Sequence, residues 1–113
     1  MTPGKFIGLL VQSRDAMHLA HWASTKYGEH KTLNEYYDGI LDLTDSFVEK
    51  YFGRNGRTPI VVSETKVESP IPHLKGLRTI IEAERVSYTS DLQNIMDEMI
   101  GLINETLYLL TLS

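Results

Sequence analysis

Two stretches decide the reading of this chain: RDAMHLAHWAST at residues 14–25 and HKTLNEYYDGILDLTDSFVEKYF at residues 30–52. In the first, Arg14, His18, His21 and Thr25 recur at intervals of four, three and four. In the second, His30, Asn34, Asp38, Asp42, Asp45 and Glu49 do so over a longer run. At roughly 100° per residue each set forms one stripe along a helix. Imidazole beside carboxylate is a donor set with which helical bundles hold iron, manganese or zinc.

Working outward, Thr2-Pro3 supplies a cap oxygen and a proline for the first helical position. Phe6, Leu9, Leu10, Met17 and Ala20 then continue at helical spacing, which predicts a first helix over 3–25. Lys26-Tyr27-Gly28 reads as a short connection. A second helix is predicted over 29–52, with Leu33, Tyr37, Ile40, Phe47 and Tyr51 inside and Gly53 closing it. Residues 54–72 read as a long, partly extended crossover, because Ile60–Val67 is β-branched but has no strand to pair with. A short third helix over 72–87 carries Leu74, Leu77, Ile80, Ile81 and Ala83 inward. The fourth begins at Ser90 and buries Leu92, Ile95, Met96, Met99, Ile103, Thr106 and Leu110. The expected architecture is a single all-α domain over 1–113, a four-helix bundle with a long crossover and a short third helix.

Composition narrows the function classes. The 113 residues are 42% hydrophobic and carry a net charge of -4, with Lys and Arg dispersed rather than clustered. Nucleic acid is therefore not an expected partner. No apolar run is long enough to span a bilayer, and no leader pattern opens the chain. The absence of cysteine excludes disulfides and thiolate sites and fits a reducing cytoplasm, the host's if the chain is viral. Neither a Gly-x-Ser-x-Gly elbow nor a phosphate loop is present, which argues against a conventional hydrolase.

The candidate site has a bland competitor. The acidic stripe lies nearly opposite the apolar stripe of its own helix, and such a stripe is ordinarily a solvated face. His21 next to Trp22 reads equally as a hydrogen-bonded histidine at a helix boundary, and His18 and His30 as surface and helix-start residues. His73 reads as structural. Both readings are reconciled if two subunits pack back to back, bringing the histidines of one against the acids of the other.

The order Ala20-His21-Trp22, His30, Tyr37-Asp38-Gly39 and Asp45-x-x-x-Glu49 resembles the Dps miniferritins of the ferritin-like superfamily. The last helix, Ile103–Leu110, is similar to theirs as well. The chain also resembles short chains of tailed phages. The Dps resemblance implies a ferritin-like bundle and an iron site shared between two subunits. His21, Asp38, Asp45 and Glu49 would be ligands, His18 and His30 reserves, and Trp22 the aromatic beside the metal. The second histidine of that pattern falls near Leu33 or Asn34 here, a turn beyond His30. In an alternative register Glu49 takes the first acid of the pair and Gly53 the second.

The expected function is thus binding of Fe(II), with Mn or Zn as other occupants, for oxidation or sequestration in a homo-oligomer built through the first two helices. The alternative expectation is a non-enzymatic assembly or interaction protein, encoded by a phage, that kept the bundle and lost the metal.

Overall fold

Thr2 caps the first helix as its sequence predicts: Oγ1 accepts from the Lys5 N–H at 3.3 Å, and Pro3 occupies the first turn. The computed structural model describes residues 1–113. Its four helices are α1 (Pro3–Ala23), α2 (Tyr27–Asn55), α3 (Pro70–Glu84) and α4 (Ser90–Leu110), with one 3₁₀ turn at Arg85–Ser87. None is long and apolar enough to cross a membrane.

The helix ends correct the sequence expectations, each for a local reason. α1 stops at Ala23, before Thr25, where Ser24 Oγ accepts from the Lys26 N–H at 3.2 Å. α2 passes through Gly53, which therefore does not close it. The stop is Gly56, whose φ of 83° is open to glycine, and its N–H donates to the Phe52 carbonyl at 2.8 Å. α3 starts at Pro70 instead of Pro72, since both prolines fit a first turn that requires no intrahelical N–H. Thr89, not Ser90, is the cap residue of α4. Ala83 is exposed instead of inward.

Contacts between helix ends give the directions. Phe6 meets Phe47 and His21 meets His30, so α1 and α2 are antiparallel. Arg54 pairs with Asp91 at 3.7 Å while Gly28 lies beside Ser113, so α4 runs antiparallel to α2. The N-terminal amine reaches Glu84 at 3.5 Å, so α3 ends where α1 begins. α2 and α3 are thus parallel, and the chain between them must travel the length of the bundle, whose long axis is 43 Å. α1 packs on α2 and α3, and α4 packs on the same two. The four meet in one core around Phe6, Leu10, Met17, Tyr36, Ile40, Phe47, Leu74, Ile81, Met96 and Ile103. Burying each large apolar side chain there stabilises by about 1.5–3 kcal/mol.

The crossover lies directly on α1. Gly4 and Gly8, one turn apart, face the backbone of Pro59 and Val61 so closely that a β-carbon at either position would collide with it. The Val61 N–H donates to the Gly4 carbonyl at 3.2 Å, and Gln12 reaches the Glu64 carbonyl at 3.4 Å. Small residues at i and i+4 give the extended segment its seat, leaving Ile60, Val61, Val62 and Val67 outward and partly exposed.

Candidate functional site

The α1–α2 turn gathers the histidines. His21 Nδ1 donates to the His30 carbonyl at 2.5 Å, and His30 Nδ1 donates to the His21 carbonyl at 2.9 Å. A carbonyl can only accept, so both rings carry their proton on Nδ1 and leave Nε2 free. The two rings stack with centroids 3.6 Å apart and planes 18° from parallel. Beside them lies an open pocket of about 400 Å³, lined by His21, Tyr27, His30, Lys31, Asn34 and Glu35.

A second column of rings stands next to the first. His18 stacks on Tyr37 with centroids 4.1 Å apart and meets Trp22 at 4.0 Å with the planes tilted by 34°. The Arg14 guanidinium sits 5.5 Å from the Tyr37 ring centre, and its Nη1 donates to Asp15 at 3.1 Å. Tyr37 is buried, yet Trp22 at the top of the column is 66% exposed and Tyr27 is 77% exposed. The pKa of His18 is lowered, first by desolvation among these rings and then by Arg14 and His21, against the opposing pull of Asp15 and Asp38.

Each residue expected at the site can now be placed. His18, His21 and His30 come together, with Trp22 alongside. Asp38 sits just over two turns beyond His30 on α2, where Asn34 Nδ2 donates to its Oδ2 at 2.9 Å and Tyr37 donates to Asn34 Oδ1 at 2.9 Å. At the position where the resemblance expects a histidine, an amide therefore occupies the carboxylate. Asp42, Asp45 and Glu49 continue along the exposed side of α2 without a hydrogen bond or ion pair. At 1.5 Å per residue Asp45 is about 10 Å and Glu49 about 16 Å beyond Asp38, too far to share one ion with it.

No three His, Asp or Glu side chains of the chain converge on a point. The stack adds a sharper limit. An imidazole lone pair lies in its ring plane, and a bound metal sits about 2.0–2.1 Å from nitrogen in that plane. Two nearly parallel stacked rings with centroids 3.6 Å apart offer no such common point, so His21 and His30 cannot hold one ion together.

Sequence reasoning missed a second constellation, buried where α1, α2 and α3 meet. Ser13 Oγ lies 2.7 Å from Tyr36 Oη and 2.7 Å from His73 Nε2, while His73 Nδ1 faces Glu68 Oε2 at 3.3 Å. Its only sequence signals were a serine and a tyrosine at core-facing helical positions.

The profile of a family of unknown function (DUF5856) matches residues 21–110. The chain is also similar to the "uncharacterized 14.6 kDa protein in mobD-ri intergenic region" of Enterobacteria phage T4. The two are 28% identical over 113 residues, covering 96% of this chain and 87% of the phage protein. No solved structure matches.

Proposed function

We propose that this chain, which belongs to the DUF5856 family, is a phage-type assembly protein on a ferritin-like bundle. Its working surface is the outer face of α1 and α2, and the occupant of that face is a second copy of the chain. The observation that carries this reading is the ring column of Tyr37, His18 and Trp22, which ends in a tryptophan left 66% exposed. Trp, Tyr and Arg are the residue types whose burial dominates protein interfaces.

Charge supports the choice of occupant. The face carries cations at Arg14 and Lys31 and acids at Asp38, Asp42, Asp45 and Glu49. A patch with both signs is self-complementary under a two-fold axis, which sets the cations of one copy against the acids of the other. The ferritin-like assignment rests on connectivity, two antiparallel hairpins joined by one long crossover between parallel helices. It rests also on the His-Trp and helix-two pattern. The phage T4 relative supports the placement among phage proteins.

A second reading keeps the metal. His21 has its Nδ1–H held by a backbone carbonyl, the arrangement that orients ligating histidines. One chain does not fit an iron centre, for the reasons of spacing and stacking given above. A shared centre would take His21 from one copy and Asp38, Asp45 or Glu49 from another, with Fe first and Mn or Zn after it. His18 is enclosed between two rings, and His30 cannot join His21 on the same ion.

One pair of measurements separates the readings. Light scattering should give a dimer or larger particle, and Trp22→Ala should shift it toward monomer with helical content unchanged. Anaerobic Fe(II) titration should show no uptake above a control protein. Saturable binding near one iron per interface, lost in His21→Ala, would establish the shared centre instead. A wild-type monomer at all concentrations would overturn both.

A further inference from the structure

The buried Ser13 constellation joins four parts of the fold. Ser13 is on α1, Tyr36 on α2 and His73 on α3, while Glu68 belongs to the crossover that lies along α1. Ser13 and Tyr36 are fully buried. Carboxylate, imidazole and hydroxyl stand here in the order of a nucleophile relay. Ser13 Oγ is nonetheless closed off from solvent and engaged on both sides, so no substrate carbon can reach it. The chemistry available is holding.

Proton accounting shows how it holds. Glu68 as a carboxylate only accepts, so His73 must carry a proton on Nδ1. Neutral His73 then accepts at Nε2 from the Ser13 hydroxyl, and Ser13 accepts from Tyr36. Tyr36, Ser13 and His73 each donate once, in one direction, toward Glu68 as the terminal acceptor. A second proton on His73 places a donor against a donor at Nε2. The Ser13 proton must then leave His73 for another acceptor inside a fully buried site, and a charged ring replaces a neutral one away from water, an unfavourable state for desolvated groups.

We infer that the Tyr36–Ser13–His73–Glu68 chain is an acid-released clasp that pins the crossover and the start of α3 onto the α1–α2 hairpin. Elsewhere the crossover is held on α1 by its close seat against Gly4 and Gly8 and by the Val61 and Gln12 hydrogen bonds. A pocket of about 290 Å³ bordered by Gln12, Glu68, His73, Gly76 and Ile80 brings solvent beside the ring. Glu68 is the charged group facing His73, Tyr36 is the titratable group behind Ser13, and α1 presents only uncharged Gln12 and Ser13. Burial lowers the His73 pKa against the pull of Glu68, consistent with a closed form that keeps the ring neutral. The open form takes up its proton in the ordinary histidine range near 6.5, so acid favours opening by up to about tenfold per pH unit.

The test is native-state amide exchange on the full chain between about pH 7.5 and about pH 5, corrected for intrinsic rates. The reporters are the Val61 amide, which bonds to Gly4, and the His73 amide in the first turn of α3. Their protection should fall by up to about tenfold per pH unit below about pH 6.5, while amides in the middle of α2 keep theirs. His73→Gln supplies an acceptor for Ser13 and a donor for Glu68 but cannot take the proton, so its protection should be retained and independent of pH. His73→Ala should leave both reporters weakly protected throughout. A flat wild-type profile, or a pH step that survives in His73→Gln, would overturn the clasp, and neither result depends on His73→Ala folding.

Discussion

The Val61 carbonyl oxygen occupies the space where a β-carbon on Gly8 would stand. The obstacle is backbone, not a flexible side-chain tip, so neither partner can rotate away. Gly8→Ala should lift the crossover from α1 and destabilise the protein by about 1–3 kcal/mol, outweighing a helix-propensity gain of about 1 kcal/mol. Urea denaturation followed by circular dichroism would measure it. A midpoint equal to wild type would mean that the crossover does not sit in this groove.

Gly101 makes the opposite case. It is an exposed mid-helix position on α4, and nothing lies within 4 Å of where its β-carbon would go. Gly101→Ala should stabilise by about 0.5–1 kcal/mol, through helix propensity and a less flexible unfolded chain. The sign difference between Gly8 and Gly101 in the same urea assay isolates the crossover contact from the general effect of removing a glycine.

Reciprocal bonding at the α1–α2 turn has a spectroscopic signature. Neutral His21 and His30 must both be Nδ1–H tautomers, because each Nδ1 faces the other's backbone carbonyl. Free histidine favours the Nε2–H form, so ¹⁵N-detected ring spectra should show two residues of reversed tautomer. Finding either ring protonated on Nε2 alone would contradict the turn geometry.

What the sequence makes legible depends on whether a contact leaves a hydrophobic period. All seven inward residues predicted for α4 are buried, because that helix has one apolar face and one neighbour side. α1 is harder to read. One side meets α2 and α3, and another meets the crossover through Gly4 and Gly8, which carry no hydrophobic signal. Gly53 is a false stop because glycine in a helix interior is only mildly unfavourable, whereas Gly56 carries the φ that ends α2. At the site, spacing alone brings out His18, His21 and His30. It cannot show that the rings stack, nor that Asn34 occupies Asp38. The link from Ser13 to His73 spans 60 residues and a change of helix, so no local period encodes it.

Tyr88 supplies a prediction at alkaline pH. Its ring packs between Phe6, Phe47 and Tyr51, with centroids 5.7, 5.2 and 6.0 Å away. Burial first, and then the negative charge of Glu84 and a contribution from Tyr51, push its pKa up to about 12. The fold therefore favours the neutral phenol, while the unfolded chain ionises near the ordinary value of about 10. Stability from this group is intact below about pH 10 and is lost as pH rises toward about 12. Tyr88→Phe keeps the ring packing and removes the proton. Its urea midpoint should match wild type at neutral pH and fall less steeply above about pH 10. Some slope should persist, because burial also raises the pKa of Tyr36. An alkaline slope unchanged in Tyr88→Phe would mean that the ring reaches solvent, and that the Phe6–Phe47–Tyr88 contact does not hold that end of the bundle closed.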